Sequence, residues 1–301
     1  MPDVRTLEPA ASLADFVALG KPRITVMLLG TTYAGMALSP MPLHLGPALL
    51  ALLGIALVFY GANALNMYLE ADVDALMMRT RTRPLPAGRM KPEVALKAGI
   101  VASVLSVALL TFCVNPLSGL LAAASLALYV LAYTPFKRRS TLALLVGAVP
   151  GAAPPLLGWT AITGRIDPAG LSLFFMMFVW QLPHFLAISV FRRDEYMRAG
   201  LKVVPGVRGM LATKLRIVLY AALFGVATLP AYTTGLASSR YLVVAITMGL
   251  AFFAMALLGL RSRGGTPAEA ELADARWAKS LFGITLLHLP LLFIAIALFR
   301  R

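Results

Sequence analysis

The chain is 301 residues long, 59% hydrophobic and only 13% charged, with a formal net charge of +14. Soluble domains carry about 25% charged residues, so this balance excludes an ordinary soluble protein and makes the membrane part effectively the whole chain, one domain over 1–301. The basic residues sit in short loops between apolar segments, which argues against nucleic acid, and the one cysteine, Cys113, cannot form an intrachain disulfide and reads as a small buried apolar residue.

A spanning helix needs about 20 mostly apolar residues. Nine segments qualify, at 16–38, 46–68, 95–114, 117–135, 142–162, 169–191, 215–234, 241–260 and 280–299. The pattern predicts an all-α, polytopic membrane protein. The first span, with Lys21 and Arg23 ahead of it and small residues at Ala34 and Ala37, has some look of a signal peptide. Asp3, Glu8 and Asp15 suit a transit peptide poorly, and the span is read as retained.

The second span ends in NMYLEADVDALMMRTRTRPLPAG, from Asn66 to Gly88. Glu70, Asp72 and Asp74 stand at the end of the apolar run, and Arg79, Arg81, Arg83 and Arg89 follow at once. Carboxylates are expensive near hydrocarbon and persist there where they bind ions, substrates or protons. At 100° per residue, Asn66, Glu70 and Asp74 share one helical face, a hard-oxygen patch suited to Mg²⁺ that shares phosphate ligands. Asp72 lies about 200° round from Glu70 and points elsewhere unless the helix unwinds. The plainer alternative is a solvated helix end with surface ion pairs.

Asn115-Pro116 predicts a tight hairpin between the third and fourth spans. The stretch YTPFKRRS, Tyr133 to Ser140, carries bases but no acid and fits lipid headgroups. In the fifth and sixth spans, Pro150, Pro154, Pro155 and Pro183 predict helix breaks lining something; Gly61, Gly147 and Gly151 predict close helix packing. His184, in WQLPHF, reads as a proton donor, an iron ligand or a hydrogen-bonded packing residue.

After the sixth span, FRRDEYMRAGLKVVPGVRG mixes acids and bases again. Asp194 and Glu195 offer a second cation site, and Arg192, Arg193, Arg198 and Lys202 offer phosphate ligands; alternatively Asp194 and Arg198 are an i, i+4 surface pair. Two such loops, four spans apart, hint at two related halves. Every Lys and Arg except Arg165, Arg240, Arg300 and Arg301 falls on one side, Arg5 and Arg263 included. The positive-inside rule makes that side cytoplasmic, with the N-terminus inside. No HExxH, Cys/His cluster or Walker-type loop occurs, which argues against protease, zinc and P-loop readings.

With these residues in view, NMYLEADVDALMMRTRTRPLPAGR resembles the first signature of the UbiA-type intramembrane prenyltransferases, relatives of 4-hydroxybenzoate polyprenyltransferase. YTPFKRRS, WQLPHFLAISVFRRDEYMRAG and VVPGVRG resemble the protoheme IX farnesyltransferase branch, in order and over nearly the whole chain. The resemblance implies nine helices around a central cavity open to lipid. It implies transfer of the farnesyl group of farnesyl diphosphate to a vinyl group of heme b, giving heme O. Asn66, Glu70 and Asp74 fall on the family's Mg²⁺–diphosphate positions, with Met67 standing where the wider family has Asp and Glu70 replacing an Asp. The family's second acidic run maps by spacing onto Arg192, Glu195 and Tyr196, leaving Glu195 with Asp194 beside it.

The expected machinery is therefore Asn66, Glu70, Asp72, Asp74, Asp194 and Glu195 with bound Mg²⁺. Arg79, Arg83, Lys137, Arg138 and Lys202 are expected on the diphosphate, and Trp180 and His184 near the heme. The lipid bilayer, farnesyl diphosphate, heme b and a downstream heme A synthase or oxidase assembly factor are the expected partners. Lack of a targeting peptide points to a bacterial inner membrane. Rival readings are another prenyl acceptor on the same fold, a secondary transporter using Glu70 and Asp74, and a non-catalytic assembly factor.

Overall fold

A computed structural model describes residues 11–261 and 266–301. Asp3, Arg5, Glu8 and Arg263 lie outside the described residues. The described chain is helical, apart from one isolated antiparallel bridge between Ala237 and Arg300. Among the described residues, eight helices are long and apolar enough to cross a membrane.

The first predicted span differs from expectation. It is divided into α1, Leu13–Leu19, and α2, Pro22–Ala37, which at 16 residues is shorter than the other eight. Gly20 closes α1, Lys21 adopts a left-handed conformation (φ 48°), and Pro22 starts α2 where its missing N–H costs nothing. Ser12 and Asp15 form a reciprocal cap on α1.

Next come α3, Leu45–Leu69, the short α4, Ala71–Ala75, and α5, Pro92–Leu109, which a wider turn extends through Val114. In that turn the Asn115 amide reaches back five residues to the Leu110 carbonyl. Asn115 then caps α6, Pro116–Ala127, by accepting from the Ser118 amide, as the hairpin reading predicts. A second wide turn, Leu128–Tyr133, leads into the single turn α7, Thr134–Phe136.

Then follow α8, Ala143–Thr163, and α9, Pro168–Phe191. Here the expected proline breaks do not occur: both helices run through Pro150, Pro154, Pro155 and Pro183 without interruption. Tight packing holds the backbone in place, for α2 lies so close to α8 that a Cβ on Gly35 would strike the Pro155 carbonyl. Gly61 against Ser103, Gly147 against the Tyr133 ring and Gly151 against Gln181 are close approaches of the predicted kind. The Gln181 amide also donates to the Ala148 carbonyl, tying α9 to α8.

The chain continues through α10, Arg193–Arg198, α11, Val204–Val207, α12, Gly209–Thr228, α13, Pro230–Thr233, α14, Ser239–Leu257, and α15, Pro267–Leu298. The last helix begins well before its predicted 280, because Thr266 and Glu269 form a capping box that carries it through a polar first stretch. Buried residues of α2, α3, α6 and α8 form one core, and those of α9, α12, α14 and α15 form another. The packed pair α8 and α9 joins the two. Outward faces stay apolar, as Val104, Phe112 and Leu250 show, which suits lipid rather than water. Cys113 is on such a face and is exposed, contrary to the buried reading: in a bilayer, apolar need not mean inside.

Candidate active site

The acid-rich end of α3 is buried. Asn66, Glu70 and Asp74 are 2%, 6% and 2% exposed, respectively, although two of them are carboxylates. The helix kinks at Glu70 (φ −113°, ψ 14°) without losing its bonding rhythm. The Glu70 amide still donates to the Asn66 carbonyl, and the Asp74 amide to the Glu70 carbonyl. The three side chains therefore stay grouped, and Asn66 Nδ2 donates to Glu70 Oε2 at 2.8 Å.

Each member has its own base. Lys21 Nζ donates to Asn66 Oδ1 at 2.9 Å, and Lys137 Nζ donates to Glu70 Oε2 at 2.9 Å and lies 2.7 Å from Oε1. Arg83 donates to Asp74 Oδ2 at 2.6 Å. Buried charges survive when paired in this way. Lys21 stands within electrostatic reach of Glu70, Asp74, Arg83 and Lys137 together, so the four come from one mouth. Asn66 Nδ2 also donates to Thr134 Oγ1 at 3.2 Å, and the wide turn before α7 brings that hydroxyl there.

Asp72 lies outside this group, as the helical arithmetic predicts. It is an exposed carboxylate held by both arms of Arg138, at 2.5 and 2.8 Å. That guanidinium holds Asp72 below the usual carboxylate range, and the carboxylate raises Arg138 in turn. The second mixed loop reaches the first through Glu195, which is buried. Its Oε1 accepts from the Arg79 backbone amide at 3.3 Å and its Oε2 from Arg192 at 3.1 Å. Asp194, the Arg79 side chain and the Lys202 side chain are exposed. The Lys202 amide nonetheless donates to the Lys137 carbonyl at 3.0 Å, which joins the 201–203 segment to the mouth.

On the side of α9 that faces α15, His184 is buried and Trp180 half-buried. His184 Nδ1 is 2.7 Å from Thr285 Oγ1, the Trp180 indole donates to the Thr285 carbonyl, and the two rings stack at 4.9 Å. Of the three readings of His184, this geometry is that of a hydrogen-bonded packing residue.

Among the described residues no three His, Cys, Asp or Glu side chains gather as a metal cluster. The donors present are two carboxylates and an amide, all oxygen, which fits a magnesium ion that keeps waters and takes phosphate oxygens for its remaining positions. Glu70 Oε1 also fits, being buried beside an ammonium yet accepting no aligned hydrogen bond.

A model of the UbiA prenyltransferase family matches residues 28–280. The chain belongs to that family. Its relatives include a protoheme IX farnesyltransferase of Anaeromyxobacter dehalogenans, 47% identical over 97% of this chain and 96% of the relative. Another, of Sorangium cellulosum, is 53% identical over 82% and 85%. Among solved structures, digeranylgeranylglyceryl phosphate synthase superposes with a TM-score of 0.76 at 15% identity, covering 94% of this chain and 98% of that one. A UbiA homologue from Archaeoglobus fulgidus bound to DMAPP and Mg²⁺ gives 0.67 at 17% identity, covering 92% and 99%. This UbiA-family protein is thus a multi-pass membrane prenyltransferase.

Two mouth residues of this family member escaped the sequence reading as site residues: Lys21, taken only as a loop base, and Thr134. The signal for Lys21 was the Gly20-Lys21-Pro22 triplet inside an apolar run, a turn signature. Thr134 lies inside YTPFKRRS, a stretch whose bases, not its hydroxyl, drew attention.

Proposed function

We propose that this chain transfers the farnesyl group of farnesyl diphosphate to a vinyl group of protoheme IX, giving heme O and diphosphate. We place it in a bacterial inner membrane as nine spans, with α2 as the first, the N-terminus and the acid–base mouth on the cytoplasmic side, and a cavity between the halves open to lipid. The observation that carries the reading is the buried Asn66–Glu70–Asp74 set with one base on each member. The names of the full-length relatives supply the acceptor.

Asn66, Glu70 and Asp74 would hold the magnesium ion, which when bound supplies charge neutralisation at the diphosphate oxygens. Lys21, Lys137 and Arg83 would then turn from those side chains to the diphosphate. Arg79, Arg138 and Lys202 form an outer ring of positive charge, and Glu195, with Asp194 at the rim, braces the second loop against the first. When the C1–O bond of the prenyl diphosphate breaks, negative charge grows on the leaving group where these fixed cations stand, and they stabilise it most in a dry site. The terminal vinyl carbon bonds to C1. The cation left beside the porphyrin takes water and loses a proton, leaving a secondary alcohol. Apolar walls keep water away until that bond has formed; we assign Trp180 and His184 to the wall on the acceptor side. The product is a heme for a downstream heme A synthase or oxidase assembly factor to consume.

Membranes holding the protein, given farnesyl diphosphate with either protoheme or 4-hydroxybenzoate, with and without Mg²⁺, test this by product mass. Magnesium-dependent conversion of a heme vinyl to a hydroxyethylfarnesyl group, a gain of one farnesyl and one hydroxyl, is expected. A farnesylated benzoate as sole product would overturn the acceptor. The transporter reading fits less well, because such sites lie near the bilayer midplane, whereas these acids sit at a helix end among bases.

A further inference from the structure

A cleft of about 180 Å³ lies between the start of α8 and the α11–α12 junction, outside the acid–base mouth. Its polar lining is Ser140, Thr141, Arg208, Arg216 and Tyr220, and the 142–145 segment with Val204 supplies an apolar wall. No acid lines it. Among the described residues neither arginine has a carboxylate partner: Arg216 donates only to the Ala212 carbonyl of its own helix, at 3.2 Å. What sets this pair apart from the other arginines is that both line one cleft together with three hydroxyl-bearing side chains. Ser140 Oγ accepts from the Leu142 amide, which leaves its proton to donate. Two guanidinium groups and three hydroxyls around an acid-free cleft form a receptor for an oxyanion.

The cleft adjoins the proposed reaction site. Ser140 follows Lys137 by three residues, which limits their Cα separation to about 11 Å. Lys137 holds Glu70, and the Lys202 amide bonds to the Lys137 carbonyl two residues before Val204. Its volume admits a carboxylate with a few carbons behind it, and is below the roughly 300 Å³ at which pockets begin to enclose drug-sized ligands. A porphyrin or prenyl chain is excluded, so only the end of an amphiphile enters.

We propose that Arg208 and Arg216, with the hydroxyls of Ser140, Thr141 and Tyr220, clamp a propionate carboxylate of the porphyrin acceptor and so set which edge faces the mouth. The proposal rests on the acceptor being a heme. A phospholipid phosphate carries the same oxyanion chemistry, and the test separates the two.

The full chain, in nanodiscs of zwitterionic lipid without farnesyl diphosphate, is titrated with protoheme or its dimethyl ester and read by Soret absorbance. Each hydrogen-bonded charge lost corresponds to roughly a ten- to hundredfold weaker Kd. Arg208→Gln and Arg216→Gln should therefore weaken protoheme binding by that much. The ester should bind wild type and variants equally weakly, and the KM for farnesyl diphosphate should stay as in wild type. Arg216→Lys, which keeps the charge but loses the planar fork, should fall between and serves if the Gln variants do not fold. Equal affinity of wild type for acid and ester, or a defect seen only when anionic lipid is added, overturns the clamp; the latter result assigns the cleft to headgroups. Ester discrimination that the arginine variants abolish, without any farnesylated heme forming, keeps the clamp and rejects the reaction. Farnesylated heme formed regardless of esterification does the reverse.

Discussion

Glu70 and Asp74 are buried acids whose burial is offset by bases drawn from distant segments: Lys137 for one, Arg83 for the other. Exchanging either acid for its neutral isostere leaves the shape but strands a buried cation and, under the proposed function, removes a metal donor. Glu70→Gln and Asp74→Asn are each expected to lower the turnover number by about a hundredfold or more, the scale seen when a preorganised charge is removed from a site. Heme binding should persist. Steady-state rates with a Soret titration on the same samples check this, and near-wild-type turnover in both variants would refute the assignment.

Asp15 is a different kind of acid, outside the spans. Hydrogen bonds from Ser12 first, and then from Arg89, hold it below its ordinary value of 3.8. A carboxyl lowered on folding contributes stability that is complete above its unfolded value and is lost as pH falls through the folded one. Protection of α1 against hydrogen exchange should therefore stay flat from about pH 8 to pH 5 and fall only below about pH 4. Ser12→Ala, which removes the largest cause, should bring that loss to milder acid.

At the scale of elements, the legible part was the set of long apolar runs. Most helix ends lie within a few residues of expectation because Pro92, Pro116 and Pro168 stand at N-termini where a missing N–H is harmless. The prolines inside helices point the wrong way, since the sequence does not show the neighbours against which α8 and α9 continue unbroken. Packing of α2 on α8 provides that support, and it depends on absent side chains. A Cβ at Gly158 would collide with the Thr32 carbonyl, a backbone atom that cannot swing aside, whereas a Cβ at Gly30 would meet nothing within 4 Å. Gly158→Ala should destabilise the protein by about 1–3 kcal/mol, the usual cost of overpacking, and Gly30→Ala should be neutral or slightly stabilising. Thermal unfolding in detergent distinguishes them, and equal midpoints would mean that α2 is not held against α8 as described.

Across the whole molecule, the mouth is assembled from segments far apart in sequence. Asn66, Glu70 and Asp74 were legible because their spacing is local and periodic. Arg83 and Lys137 were expected at the diphosphate, but which acid each one faces was not legible, and Lys21 was not legible as a site residue at all: Lys21 lies 45 residues from Asn66 and Lys137 lies 67 from Glu70, and no pattern within a helix encodes such pairings. Glu195 stands furthest out, joining the second half to the first by accepting from the Arg79 backbone amide, 116 residues away. Since Arg79 opens the turn that leads to Arg83, this one bond restrains the loop that presents Asp74's partner. Glu195→Gln keeps an oxygen to accept from that amide but gives up the charge that binds Arg192. Glu195→Ala gives up both. If the carboxylate braces the loop, Glu195→Ala should raise the KM for farnesyl diphosphate by about tenfold and speed hydrogen exchange over 76–83, with α12 and α14 unchanged; Glu195→Gln should do much less. If Glu195 instead holds a second magnesium, both variants should lower the turnover number alike, and excess Mg²⁺ should partly restore it. The ratio of the two variants' effects therefore distinguishes a brace between halves from a second metal ligand.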